Sequence, residues 1–324
     1  MSYNVFVASR SYGKYSPETK KFLQDAGCNL TFNQKDRVYQ AEDLLKIVNE
    51  YEALIVGVDE VNGEVISKGQ QNKLQVIAKN GTGVDNINLE AAGEAGIMVI
   101  NAPGTNSESV ADLTVALMLS IARSIPVVDR MTKNGKWKRK IGRELWGKTV
   151  GLIGTGAIGS RTCHRLSGFN CNLLAYDIKP DEKLIEKYGV DYTELNNLLC
   201  NSDYVSLHLP LNTKTEGFLN KERLNLMKES AYLINTARGG LVVEEDLYHV
   251  LENGNIAGAA CDVFSEEPPG ESKLLALDNF IATSHIGAFT YETNKRTGLT
   301  VAKNLVKALE GQKPDHLVNE EYLK

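Results

Sequence analysis

The sequence predicts an α/β protein built from two parallel-sheet units, and three observations predict it. Short β-branched runs alternate with helix-compatible spacers along the chain. The alternation comes as two series rather than one. The second series opens on a glycine-rich turn. The 324 residues suffice for two domains of ordinary size, each able to bury a core.

In the first hundred residues the strand candidates are "NVFVAS", "ALIVG", "LQVIAKNG" and "IMVINAPG", with "AEDLLKIVNE" and "NLEAAGEAG" as helical spacers. A long apolar helix is expected over 106–123, "NSESVADLTVALMLSIAR". Asn106 or Ser107 could cap it, and Val110, Leu113, Leu117 and Ile121 fall at helical spacing. It could join two domains or pack at a subunit interface. The second series runs through "KTVGLIG", "NLLAYD", "YVSLHLP", "AYLINTARGG", "AGAACDVF" and "FIATSHIG". An amphipathic helix, "YETNKRTGLTVAKNLVKALEG", comes after that series is complete, so it could cross back to the first domain.

The 36 Lys and Arg against 41 Asp and Glu leave a net charge of −5, which gives no global attraction to nucleic acid or an anionic membrane. An anionic ligand must therefore be held by local positive groups. Five scattered cysteines without a CxxC pair suggest reduced thiols in the cytosol. The first ten residues lack a signal-peptide core, and no apolar run reaches the roughly 18 residues of a membrane span. A cytoplasmic protein without nucleic-acid or membrane partners, and without a metal, is the expectation. One basic stretch interrupts this balance, "KNGKWKRKIGR" at 133–143. It reads as a solvated loop, a phosphate-reaching arm or, least readily, a nucleic-acid patch.

The turn "TVGLIGTGAIGS" places glycines at 154, 156 and 159 between a strand and a helix-compatible stretch. Gly154 permits the tight turn, Gly156 a close approach of backbone to a pyrophosphate, and Gly159 close packing of helix on strand. The helix N-terminus then offers unpaired N–H groups to phosphate. Asp177 ends the next strand, 18 residues after Gly159, where a carboxylate accepts from a ribose 2′-hydroxyl and repels a 2′-phosphate. NAD is thus the expected cofactor rather than NADP, with Lys179 weakening the preference slightly.

Three later strand ends carry polar residues: Arg238 in "INTARGG", Asp262, Glu266 and Glu267 in "CDVFSEEPP", and His285 in "SHIGA". The planar fork of Arg suits a carboxylate. His suits proton transfer near neutral pH, and a carboxylate beside it fixes its tautomer. Together they describe reduction of a 2-oxo acid, with hydride supplied by a nicotinamide. Each also has an ordinary reading: an internal ion pair, a loop acid, or a His bonded to a backbone carbonyl.

These residues and the stretches "NGTGVDNINLEAA", "GLIGTGAIG", "VSLHLPLNTKTEGFLN", "LINTARGGLVVEEDL", "AGAACDVFSEEPP" and "SHIGA" resemble the D-isomer-specific 2-hydroxyacid dehydrogenases over nearly the whole chain. The resemblance implies two doubly wound domains. Residues 1–104 plus 291–324 would form a flavodoxin-like substrate domain, and 105–290 a Rossmann NAD-binding domain. The active site would lie in the cleft between them. It implies Arg238, Glu267 and His285 as the catalytic set, with Glu266 off the motif position. Beside Gly154, Gly156, Gly159 and Asp177, it implies cofactor contacts from Ala157, Ile158, His208, Leu209, Pro210, Thr236, Ala237, Asp262 and Gly287. Lys79, Asn80, Gly81 and Thr82 would grip the substrate with Arg238, and Arg139 would reach across a homodimer to a phosphate.

Within the family the likeness is greatest to 3-phosphoglycerate dehydrogenases, which makes 3-phosphoglycerate and phosphohydroxypyruvate the first substrate pair to consider. One departure weakens this: Gly57 stands where animal-type members carry an Arg after "LIV". The alternatives are glyoxylate or hydroxypyruvate reduction, or an NAD-sensing binding protein of the same fold, as in the C-terminal-binding corepressors. Formate dehydrogenase ranks lower, because that branch has Gln where Glu267 stands. The chain carries no counterpart of the C-terminal regulatory domain of long serine-sensitive forms, so that mode of feedback is not expected.

Overall fold

The computed structural model describes residues 2–35 and 37–323. The chain divides into two compact units, Met1–Asn106 with Phe289–Lys324, and Ser107–Ala288. It is an α/β protein with two wholly parallel sheets of five and seven strands.

The first unit contains β1 (Tyr3–Val7), β2 (Cys28–Phe32), β3 (Ala53–Val56), β4 (Val76–Lys79) and β5 (Met98–Ile100) in the order β2-β1-β3-β4-β5. This is the flavodoxin-like doubly wound order. Strands β3 and β4 are buried at every position, as central parallel strands covered on both faces must be, which is why they read as continuous apolar runs. Thr290 caps the helix Tyr291–Leu309, its hydroxyl accepting from Thr293 N at 3.1 Å. The apolar stripe Val301, Ala302, Leu305, Ala308 and Leu309 is buried with Val5, Val7, Ile55 and Val76 in one core cluster, so this last helix does return to the first sheet.

The second unit contains β6 (Thr149–Ile153), β7 (Asn172–Tyr176), β8 (Asp191–Tyr192), β9 (Tyr204–Leu207), β10 (Tyr232–Asn235), β11 (Gly258–Cys261) and β12 (Phe280–Ala282) in the order β12-β11-β10-β9-β6-β7-β8. Counted from β6, this is the 3-2-1-4-5-6 Rossmann order with one more strand at the edge. The helix Ser107–Ala122 buries Val115, Leu117, Met118 and Ile121 with Val150, Leu152 and Ile234. Among the described residues no single helix is long and apolar enough to cross a membrane, and the only pair that qualifies jointly, Ser107–Ala122 with Ile125–Lys133, is bent by 63°.

Local expectations differ from the fold in three places. The edge strands β2 and β8 lie outside the predicted runs. "CNLTF" has one fully buried position, and β8 has only two residues, so neither carries an apolar signature. The predicted helix "AEDLLKIVNE" forms a single α-turn, Ala41–Leu44, and a 3₁₀ turn, Val48–Glu50. The β-branched pair Ile47-Val48 lowers helix propensity there, and the chain must turn to enter β3.

Candidate active site

Parallel strands finish on one edge of a sheet, so residues just beyond neighbouring strands are brought together. Strands β10, β11 and β12 are consecutive neighbours. Arg238 follows the first, Glu267 the second and His285 the third. The Nδ1 atom of His285 lies 2.7 Å from Glu267 Oε2, and Glu267 Oε1 accepts from Phe264 N at 3.1 Å. Burial pushes the Glu267 carboxyl up. The His285 hydrogen bond, the Phe264 N–H and the nearby Arg238 charge outweigh that and hold it below the ordinary carboxylate value. A carboxylate only accepts, so Nδ1 carries the proton of this bond, which leaves Nε2 as the ring nitrogen outside it.

The loop bearing His285 is built around Asp262. Its backbone carbonyl accepts from His285 N at 2.8 Å. Its buried carboxylate accepts from Ile286 N at 2.9 Å, Gly287 N at 2.8 Å and the Thr283 hydroxyl at 2.5 Å. These bonds hold His285 at φ +55°, a left-handed conformation that costs a non-glycine residue about 1–2 kcal/mol. Asp262 therefore positions the histidine, and its carboxylate is committed to the loop.

Arg238 is fixed by similar means. The Asn235 side chain accepts from Ala237 N at 3.1 Å and donates to Arg238 O at 2.9 Å, and Arg238 Nη1 donates to Ala237 O at 2.7 Å. A Cβ on Gly239 would stand 1.9 Å from the Phe264 carbonyl carbon, so the Arg238 turn and the Glu267 segment touch backbone to backbone. Asn235, Thr283 and Gly239 are site residues that the sequence reading passed over. The only signal for them was the glycine doublet after Arg238.

On the same edge, Gly154 turns the chain at φ +96° after β6. A Cβ on Gly159 would meet Gly154 O at 2.2 Å, whereas one on Gly156 would meet nothing within 4 Å. Two glycines are thus needed for packing and the third faces open space. The helix Ala157–Ser167 has no side-chain cap, and Ala157 is exposed at its first turn. An uncapped N-terminus beside an open glycine fits a dinucleotide pyrophosphate. Asp177 accepts from Thr155 N at 2.7 Å and Lys179 N at 3.0 Å. Burial raises its pKa, but these bonds outweigh it and the carboxyl sits below its ordinary value. His208 bonds Ser206 Oγ at 3.0 Å, and burial lowers its pKa to about 4, so it is neutral near pH 7. Leu209 and Pro210 follow it beyond β9. Thr236 is buried and its hydroxyl pairs with that of Thr114 at 2.8 Å, with Ala237 buried beside it. Gly287 N is among the groups held by Asp262.

Lys79, Asn80, Gly81 and Thr82 lie in the other unit, at the carboxyl end of β4. The Lys79 ammonium is buried and donates to Gly57 O at 2.6 Å and Asn86 Oδ1 at 2.5 Å. Asn80 donates through Nδ2 to Ser9 Oγ at 3.0 Å, and the Thr82 hydroxyl to Ala102 O at 3.2 Å. Arg139 is exposed in the coil before β6. Its neighbour Lys140 lines a cavity of about 360 Å³ with Tyr232, Ala257 and Asn279, at the amino edge of the seven-stranded sheet. Within one chain, then, Arg139 is not gathered with Arg238, Glu267 and His285.

The model for the NAD binding domain of D-isomer specific 2-hydroxyacid dehydrogenases matches residues 115–287. The hydroxypyruvate reductase of Thermotoga maritima is 41% identical over 83% of this chain and 89% of its own length. This chain belongs to the D-isomer specific 2-hydroxyacid dehydrogenase family. The family's NAD binding domain corresponds to the unit that carries the glycine turn, Asp177, Arg238, Glu267 and His285. Another family relative, the D-3-phosphoglycerate dehydrogenase of Methanocaldococcus jannaschii, is 44% identical over 86% of this chain but only 53% of its own length. The chain thus spans about half of that relative. Among solved structures, the TT0316 protein of Thermus thermophilus superposes with a TM-score of 0.87 at 35% identity, covering 97% of this chain and 99% of that one.

Proposed function

We propose that this family member is an NAD-dependent oxidoreductase interconverting a 2-oxo acid and its D-2-hydroxy acid, with phosphohydroxypyruvate and 3-phosphoglycerate as the pair it serves. The observation that carries the reading is the His285–Glu267 pair at 2.7 Å, one strand end away from Arg238. Bound NAD supplies the hydride equivalent, and the chain supplies position and proton transfer. In reduction, His285 gives the Nε2 proton to the carbonyl oxygen as the carbonyl carbon gains hydride; in oxidation it takes that proton back. Glu267 holds the ring in this tautomer. Arg238 pairs with the substrate carboxylate through its fork. Gly154, Gly156, Gly159, Ala157 and Ile158 would hold the pyrophosphate, and Asp177 the ribose hydroxyls.

A homodimer belongs to the same reading. Trp137, Ile141 and Trp146 are 86%, 101% and 60% exposed on one short segment, which supports burial against a second copy that would also carry Arg139 to a site. A second substrate reading, reduction of unphosphorylated hydroxypyruvate or glyoxylate, is favoured by Gly57 and by the internal bonds of Lys79. NADH oxidation with phosphohydroxypyruvate and hydroxypyruvate in parallel separates the two. At least about a tenfold kcat/KM preference for the phosphorylated acid is expected, the order of one charge-assisted contact. A preference for hydroxypyruvate establishes the second reading, and turnover of neither overturns both.

The lowered pKa of Glu267 also makes a stability prediction. The unfolded chain takes up this proton first as the pH falls. The contribution of Glu267 is therefore complete above the ordinary carboxylate value of 4.5 and is lost as the pH drops through the lowered native value. Thermal unfolding of the wild type and Glu267→Gln from pH 7 to pH 3 should show a Tm gap that is widest above about pH 5 and closes at the acid end. A gap constant across that range would mean that Glu267 does not act there as a carboxylate. At pH 7 the variant should lose kcat with KM nearly unchanged, because the ring loses its anionic partner and not a substrate contact.

A further inference from the structure

The helix Ser107–Ala122 packs across β10, β11 and β12, the three strands followed by Arg238, Glu267 and His285. It runs antiparallel to them. A Cβ on Gly258, where β11 begins, would stand 3.3 Å from Ile121 Cδ1. One on Gly287, beyond the carboxyl end of β12, would stand 3.3 Å from Val110 Cγ2. The first turns of the helix therefore lie under the edge that carries Arg238 and His285. Thr114 is in this stretch, polar and fully buried. Its hydroxyl donates to Val110 O at 2.8 Å, one turn back along the helix, and lies 2.8 Å from the Thr236 hydroxyl. A hydroxyl has one proton to give. That of Thr114 is committed to Val110 O, so across the pair Thr236 donates and Thr114 accepts. Thr236 is itself buried, two residues before Arg238.

We propose that Thr114 is a positioning residue: by accepting from Thr236 it holds the turn that aims Arg238 at the substrate carboxylate. The inference rests on the dehydrogenase reading above, in which Arg238 pairs with that carboxylate, and adds a residue acting from the helix beneath. The turn is pinned twice. Asn235 closes it from within, through Ala237 N and Arg238 O, and Thr114 holds it from the helix. Arg238 Nη1 donates to Ala237 O at 2.7 Å, so the guanidinium takes its direction from the backbone next to Thr236. A valine at position 114 keeps the branched shape but offers no acceptor. The Thr236 hydroxyl is then buried without a partner, and a buried donor is costly to leave unmatched. The turn relieves this by shifting until the hydroxyl reaches water or another acceptor, and the Arg238 fork shifts with it.

The test measures kcat, KM, NADH affinity by fluorescence titration and Tm in the full chain carrying Thr114→Val, Thr114→Ser, Thr114→Cys, Thr236→Val or both valines. For Thr114→Val, KM should rise about tenfold, which corresponds to about 1.4 kcal/mol. The rise should be the same for phosphohydroxypyruvate and hydroxypyruvate, because both carry the carboxylate. Losses below about threefold are expected in kcat and in NADH affinity. Thr114→Ser keeps the acceptor and should return KM to within about twofold of wild type, and Thr114→Cys, a weak acceptor, should fall between. In the double variant the second valine should add nothing to Thr236→Val, since the acceptor has already lost its donor. A lowered Tm with KM unchanged would make Thr114 a structural residue and overturn the inference, and so would losses that add in the double variant. If Thr114→Val does not fold, the Ser and Cys variants decide, and equal KM in those two overturns it. These outcomes leave the dehydrogenase reading standing. A wild type that reduces neither acid overturns that reading and this inference with it.

Discussion

His285→Asn should lower kcat by about a thousandfold, within the range general acid–base catalysis contributes, while NADH affinity measured by fluorescence titration stays close to wild type. The asparagine is chosen for the backbone. His285 sits at φ +55°, and Asn tolerates the left-handed region better than most residues. The four hydrogen bonds that Asp262 accepts from this loop should therefore survive, and the change should remove the imidazole without collapsing its support. His285→Ala would mix lost chemistry with added strain. Equal loss in kcat and kcat/KM marks an interaction made only in the transition state, which is the pattern expected of a proton donor to the carbonyl oxygen. A kcat loss under about tenfold would remove His285 from the proton-transfer role, because such a loss is smaller than positioned acid–base groups supply.

The parts of this site that were legible in the sequence share one property: their chemistry is announced within a few residues of an apolar run. Gly154, Gly156 and Gly159 follow β6 directly, and the distinct space around each explains why the spacing could be read locally. Arg238 and His285 each stand three residues beyond the end of a strand, so their placement on one edge followed from strand alternation alone. What could not be read depends on neighbours far along the chain. Asp262 looks like one more acid near a cofactor, yet its carboxylate is committed to N–H groups 24 and 25 residues later. Lys79 looks like a cation for a substrate, yet it is folded onto the carbonyl of Gly57, 22 residues earlier. The Thr114–Thr236 pair is beyond sequence logic for the same reason, since its two hydroxyls lie 122 residues apart. Residue type and spacing show which groups can do chemistry, and only packing shows which of them are already engaged.

Gly239→Ala carries that argument to a single methyl group. Gly239 does not have a positive φ, so alanine meets no backbone strain and the question is one of space. Its Cβ would stand 1.9 Å from the Phe264 carbonyl carbon, 2.2 Å from the Phe264 oxygen and 2.3 Å from Ser265 N, all backbone atoms that cannot rotate away. The segment 264–267 must move, and it carries Glu267. Overpacking costs about 1–3 kcal/mol, and contact with backbone alone puts this site near 3, which for a unit of this size is a Tm drop of about 6–12 °C. Displacing Glu267 by about an ångström should also loosen the His285 ring and cost about 100-fold in kcat. Gly240→Ala is the matched control. There the Cβ meets only the Leu211 side chain, nearest at 3.0 Å to Cδ2, which can shift its rotamer. That variant should stay within about 1 kcal/mol of wild type and keep its activity. If the two variants unfold at the same temperature and turn over alike, the backbone contact at Gly239 is not what brings the arginine turn and the glutamate segment together. If only Gly239→Ala suffers, and suffers in kcat as well as Tm, the backbone contact between Gly239 and Phe264 is what joins the Arg238 turn to the Glu267 segment, and the space beside Gly240 is not needed for turnover.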